Sequence, residues 1–215
     1  MALEIARALL PVFFVMAVGF AAGKTRLVDN RDVRSLNTLV MTIALPLALF
    51  AVLASSPRAD VVEHGWMALV SLLVMAVVYG AAFVLQRRVF RATPGEAAVQ
   101  ALTVSFPNAA AVALFLTGLV LSAQPIRVDA QAIVATVLTV LVRPLLALGV
   151  IVLLGWTGAM AQETLLLLAV PAGFFGILVG IGYGAKPPVA GSTLLFSSVL
   201  SIATLSLVIT MLPAL

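Results

Sequence analysis

Two short stretches place helix-breaking residues in the middle of apolar sequence: Ser105-Phe106-Pro107-Asn108 and Val170-Pro171-Ala172-Gly173. Proline removes a backbone donor, and its ring clashes with the turn before it. In hydrocarbon each backbone group left unpaired costs several kcal/mol, so such breaks persist only where protein or a water-filled cavity covers them. A pair of broken helices is the usual pointer to a solute site in a secondary transporter. Asn108 adds an amide with both donors and an acceptor. The half-helix beginning at Ala109 turns its positive end toward the break, which suits a carboxylate or another anion. A plain proline kink, with Asn108 bonded to a neighbouring helix, is the competing reading. Pro171, with Gly173 and Gly176, supplies a second break that packing alone does not call for, so the binding reading leads.

Arg143-Pro144 is the third feature with chemical potential, because arginine inside a bilayer is costly and marks function by default. It could attract an anionic substrate or pair with a freed carbonyl. In the alternative, the span is offset and Arg143 snorkels to an interface. Both readings stand at this level. Asp129 and Glu163 fall at predicted helix ends, so neither is a membrane carboxylate that could pair with it. The candidate substrate-binding residues are therefore Pro107, Asn108, Pro171, Gly173 and Arg143. Pro46 interrupts another apolar run, where a kink is the default reading and a gate or support for the site the minority one.

The elements that carry these residues are membrane helices. Of 215 residues, 63% are hydrophobic and 9% charged, against about 25% charged in an ordinary soluble domain. Mean hydropathy is +1.24, and no alternation at period two suggests a β-barrel. The predicted class is an all-α polytopic membrane protein with seven helices: about 8–23, 33–54, 66–85, 97–122, 131–156, 164–184 and 189–212. Residues 1–123 form a first unit of four spans and 129–215 a second of three. The N-terminal segment reads as the first span and not as a cleavable signal, since Glu4 and Arg7 precede it and no clean small-residue cleavage site comes after it.

Charges set the expected orientation. Lys24, Arg26, Arg31 and Arg34 occupy the first loop and Arg87, Arg88 and Arg91 the third, while Arg58 in the second is offset by Asp60 and Glu63. The positive-inside rule then puts the first and third loops in the cytoplasm and the N-terminus outside, in a multi-pass cytoplasmic membrane protein. The same rule accounts for the net charge of +4 without nucleic acid. The chain has no cysteine, which excludes thiolate metal sites, disulfides and thiol catalysis. Its single histidine, His64, reads as a solvated loop residue, and Trp66 and Tyr183 as interfacial anchors. No zinc-protease motif, nucleophile elbow or phosphate loop occurs, so no enzyme, metal or cofactor is expected.

Several segments in order resemble the auxin efflux carrier family, whose bacterial members include malate and malonate permeases. They are Leu10-Pro11-Val12-Phe13-Phe14 with Gly19-Phe20, then Ser35-Leu36-Asn37-Thr38-Leu39-Val40, then Ala44-Leu45-Pro46-Leu47-Ala48-Leu49-Phe50. Ser105-Phe106-Pro107-Asn108 is similar to that family's first crossover helix, and Val142-Arg143-Pro144-Leu145-Leu146 to its eighth helix. Ala169-Val170-Pro171-Ala172 through Gly184 is similar to the ninth, and Ser192 through Leu212 to the tenth. The resemblance implies a bile-acid/sodium-symporter-like fold, with Pro107 and Asn108 on one crossover helix and Pro171 on the other. It also implies a small organic anion as substrate, with a proton or sodium ion as candidate coupling partner and a homodimer as candidate assembly.

Two departures stand out. Ala109-Ala110-Ala111 replaces a Gly-rich run, and the chain passes from the fourth family helix to the eighth through a short loop at Pro125 to Asp129, leaving the second repeat incomplete. The fourth helix should exit outside and the eighth should start inside, and one short loop cannot serve both. Either the last three helices are inverted, or the protein is a deleted, non-transporting remnant or accessory protein. A seven-helix sensor is the weakest alternative.

Overall fold

The computed structural model describes residues 2–29, 33–107, 111–123, 126, 128–184 and 188–212. All regular secondary structure among them is helical. In chain order the helices are α1 (Ala2–Lys24), α2 (Arg34–Ser55), α3 (Arg58–Glu63), α4 (Gly65–Arg88), α5 (Pro94–Ser105), α6 (Ala111–Ala123), α7 (Ala130–Leu153), α8 (Ala159–Ala169), α9 (Phe175–Gly182) and α10 (Pro188–Met211). Apolar runs of 22, 24, 24 and 23 residues in α2, α4, α7 and α10 exceed the ~20 residues that cross a bilayer core. These four match expected spans closely. The first helix begins at Ala2 instead of Ala8 and takes in both Glu4 and Arg7. The expected spans at 97–122 and 164–184 are each split in two, as their prolines require.

Pro46 and Pro144 do not end their helices. Each comes after a π-helical turn, Val40–Ala44 in α2 and Leu138–Val142 in α7. In each the closing amide, Leu45 or Arg143, reaches back to the first carbonyl of the wide turn. The extra residue accommodates the ring and the missing donor, so the helix continues.

Four side-chain bonds fix which ends lie together. Gln131 donates to Gln86, which brings the start of α7 to the end of α4. His64 Nε2 lies 3.6 Å from Glu163 Oε2, and Gln162 Nε2 donates to the Leu212 carbonyl at 3.1 Å. The start of α8 therefore sits beside the start of α4 and the end of α10. Asn37 Nδ2 donates to the Leu178 carbonyl at 2.9 Å, which fastens α9 to the first turns of α2. Helix α7 thus runs from the Arg87-Arg88 end to the His64 end, α8 and α9 return, and α10 goes forward again. Helices α5 and α8 enter from opposite ends and meet.

This order sets α7 antiparallel to α4 and brings α8 in from the end opposite to α5. The expected fourth span does not continue past its break as one helix. The chain from Ala123 to Ala130 spans at most about 25 Å at full extension, short of the ~30 Å core. With α7 starting at the Arg87-Arg88 end, α6 cannot deliver the chain to the far end. It packs instead on α1, where Gly19 lies against the Phe115 backbone and Gly118 against that of Met16; a β-carbon at either glycine would overlap the partner. Small residues allowing such backbone approach are the main adhesive between helices in lipid, where no hydrophobic force drives association.

One packed core, including Val74, Val78, Val104, Ile151 and Leu168, joins α4, α5, α7, α8 and α10. A second, including Met16, Val99, Leu119, Ile177 and Leu194, joins α1, α5, α6, α9 and α10. Helix α2 contributes little beyond its first turns: only 6% of its apolar window is buried.

Candidate functional site

The two breaks meet. Phe106 leaves the end of α5 in an extended conformation, φ −84° and ψ 134°, and Val170 leaves α8 with φ −58° and ψ 151°. The extended segments pair as a single antiparallel bridge between Pro107 and Ala172. Gly173 N–H donates to the Thr103 carbonyl at 3.0 Å, and Ala172 N–H donates to Ser197 Oγ on α10 at 3.0 Å. Gly173 lies so close to Phe106 that a β-carbon would stand 2.5 Å from the Phe106 carbonyl oxygen. One turn on, Gly176 is pressed against Val99 and Thr103. The Phe106 and Phe175 rings stack with centroids 5.3 Å apart.

Arg143 binds the crossing together. Its side chain is fully buried, so snorkelling to an interface is not what it does. Nε donates to the Leu168 carbonyl at 2.8 Å. Nη1 reaches Val104 O at 3.0 Å and Ser105 O at 3.4 Å. Nη2 reaches Val170 O and, at 3.4 Å, Pro171 O. These carbonyls belong to the last turns of α5 and α8 and to the break beyond them, where no intrahelical donor remains. Both helices also point the negative ends of their dipoles here. One planar fork answers both needs, and its five N–H groups are matched by five carbonyl contacts.

Further polar side chains surround the crossing. Gln100 Nε2 donates to Thr193 Oγ1 at 2.7 Å between α5 and α10. Ser192, Thr193, Ser197, Ser198 and Ser201 are all buried on α10. Among the described residues, Gln100 Oε1, Asn37 Oδ1, Ser198 Oγ and, on α4, Ser71 Oγ are buried without a hydrogen-bond partner. Buried polar atoms are rarely left so, and each needs an explanation such as a bound polar group or water. No cluster of metal-ligating side chains occurs among the described residues.

Local signals aim the two helices that carry the contacts. Thr93 and Glu96 form a capping box at the start of α5. The Thr93 backbone amide, then its hydroxyl, holds the Glu96 carboxylate and lowers its pKa from the ordinary 4.5. Asp129 caps α7 by accepting from Ala132 N–H at 2.8 Å.

Of the residues singled out by sequence, Pro107, Pro171, Gly173 and Arg143 come together at the crossing. Asn108 lies outside the described residues. Sequence reasoning did not single out Thr103, Gln100, Ser197 or Asn37, which the structure brings to or near the crossing. One signal was available: Thr193, Ser197 and Ser201 recur every fourth position in an apolar helix, a polar stripe on one face. His64, expected to be solvated, faces Glu163 while remaining about half exposed.

A polytopic helical membrane protein with two interrupted helices crossed at an arginine is the class this architecture defines. The sequence profile of the membrane transport protein family, the auxin efflux carrier type, matches residues 4–112 and again 109–209, and the chain belongs to that family. The two matches overlap at 109–112, upstream of the expected junction at Pro125 to Asp129. The uncharacterized transporter YfdV of Escherichia coli K12 is 31% identical over 100 residues, 46% of this chain and 32% of its own length. The proteins of that name in Escherichia coli O157:H7 and Shigella flexneri match to the same extent. The chain thus covers about a third of the curated relatives it matches. No solved structure matches it.

Proposed function

We propose that the chain is a secondary transporter, not an enzyme, that moves small organic anions such as dicarboxylates by alternating access around the crossing. The observation that carries this is the meeting of both breaks at Pro107 and Ala172 over a buried Arg143. In this reading Arg143 is a positioning residue. It neutralises two helix C-termini and so leaves the positive N-terminal end of α9 to attract the anion; Asn108 is the proposed amide ligand. The unpartnered oxygens of Gln100, Asn37 and Ser198 support a polar or hydrated path beside it. A proton or sodium ion is the proposed coupling partner, the cytoplasmic membrane the proposed site with the N-terminus outside, and a homodimer the proposed assembly.

Uptake of radiolabelled malate or malonate into proteoliposomes tests the proposal. Wild-type uptake with a large loss in Asn108→Ala is expected, and unchanged uptake in the variant rejects that residue assignment. The two family matches that adjoin at 109–112 favour a second reading, a shortened, non-transporting remnant. Folded wild-type protein without uptake of any dicarboxylate would select it. Single introduced cysteines, in a chain that has none of its own, check the helix order. Labels at Arg127 and Arg88 should react from one side and a label at Glu163 from the other.

A further inference from the structure

Two buried amides stand between the crossing and the Arg87-Arg88 end, and their partners fix which way each one faces. Gln100 Nε2 donates to Thr193 Oγ1 at 2.7 Å. That hydroxyl gives its own hydrogen to the Val189 carbonyl at 2.8 Å, so from Gln100 it can only accept. Asn37 Nδ2 donates to the Leu178 carbonyl, which can only accept as well. Flipping either amide would set oxygen against oxygen. Gln100 Oε1 and Asn37 Oδ1 are therefore committed acceptors, both buried and both without a donor.

The two amides flank α9. Gly176 lies against Val99, the neighbour of Gln100 on α5, while Asn37 sits at Leu178 and Gly182, closer to the Arg87-Arg88 end. The Gly173 bond to the Thr103 carbonyl sets the entry to α9, its positive pole, at the level of Thr103. Gln100 is three residues from Thr103, about 4.5 Å of helix rise, which is the span of a short dicarboxylic acid. A dianion would press its second carboxylate against an acceptor oxygen. A carboxyl that keeps its proton supplies the missing donor. Charged side chains on the packed elements do not. Glu96 is exposed and held by Thr93, and α9 and α10 carry no charged residue. Arg34, Arg87, Arg88 and Asp129 stand at helix ends, and Arg143 is engaged by carbonyls.

We propose, resting on the transport reading above, that the species carried is the monoprotonated dicarboxylic acid. Its carboxylate lies at the N-terminal end of α9 and its protonated carboxyl on Gln100 Oε1, with Asn37 Oδ1 the next acceptor toward the Arg87-Arg88 end. The proton then crosses on the substrate and not on a side chain.

The test is uptake of radiolabelled malonate, below saturation, by the full chain in proteoliposomes. Between about pH 6 and pH 8 uptake should fall about tenfold per pH unit, with the monoprotonated fraction, and a sodium gradient should not change it. Two unlabelled competitors of equal charge isolate the donor. The half-amide malonamate carries N–H groups where the acid carries its proton, and monomethyl malonate carries no donor there. Malonamate should inhibit at least about tenfold better and without pH dependence, because a site built around a hydrogen bond rejects the analogue that leaves it unmade. Gln100→Leu should bring the two competitors level. Thr193→Val keeps the amide but frees it to turn, and should narrow the difference. Uptake that holds steady or rises with pH, an ester as effective as the amide, or a preference that survives Gln100→Leu overturns the inference. No malonate uptake at any pH rejects the transport reading itself, and this inference with it.

Discussion

Helices α2 and α7 use one backbone device for different ends. Each has a π turn of five residues, then one further residue and then proline: Val40–Ala44, Leu45, Pro46 in one, and Leu138–Val142, Arg143, Pro144 in the other. In α7 the residue before the proline is a buried arginine holding two helix termini. In α2 it is leucine, on a helix whose apolar face is almost wholly bare. The π turn therefore does not make a site. It permits a proline and resets the facing of the residues beyond it, and the neighbouring side chain decides whether that facing matters.

The largest effect should come from copying α2 into α7. Arg143→Leu leaves the terminal carbonyls of α5 and α8 unpaired inside the protein, each at about 1–3 kcal/mol. Little folded protein should survive extraction, and residual protein should melt well below wild type in detergent. Arg143→Lys should rescue it only in part, because a point charge cannot span two helix ends as a fork does. An Arg143→Leu protein as stable as wild type would dismiss the clamp. The reverse exchange, Leu45→Arg, should create no clamp. It places a charge on a lipid-facing span at about 2.5–3.5 kcal/mol, and membrane yield should fall with no gain in stability.

Glycines sharpen the same contrast at lower cost. Gly173→Ala drives a methyl against the Phe106 carbonyl, whereas a β-carbon at Gly149 on α7 meets open space. The first should lose about 1–3 kcal/mol, as overpacking does, together with any uptake. The second should be neutral or slightly stabilising, alanine being the better helix former. Equal melting points for the two would mean the crossing is looser than its geometry implies. Ser197→Ala falls next. It strands the Ala172 amide, for about 1–3 kcal/mol, read in the same melting assay.

Much of this was legible from sequence, and for a physical reason. Spans and breaks depend on local properties, so runs such as Gly65–Arg88 and the prolines at 107 and 171 announce themselves. Arg143 announced a buried charge but not its partners, because those are backbone carbonyls and every residue carries one. The fate of α6 was hidden too. Its apolar composition suits a second half-span as well as a helix lying on α1, and only the Gln86–Gln131 contact with the short 124–129 connection decides between them. The stripe Thr193, Ser197, Ser201 was visible as a period of four, yet hydroxyls in membrane helices also bond their own turn, as Ser201 does to Ser198 here.

The smallest effect separates the two prolines themselves. A π turn holds one residue more than an α turn, so removing it rotates everything beyond by about 100°. In α7 that rotation would swing Arg143 away from its carbonyls, and Pro144→Ala, which restores the missing donor and lets the turn tighten, should destabilise clearly. In α2 the same rotation moves residues that touch mainly lipid: Leu47, Leu49, Phe50 and Leu53 are all more than 60% exposed. Pro46→Ala should therefore shift melting by less than the equivalent of about 1 kcal/mol, and leave uptake unchanged. If Pro46→Ala proves as harmful as Pro144→Ala, the bare face of α2 meets something more specific than lipid, and the contrast between the two helices lies in their partners and not in the residue before the proline.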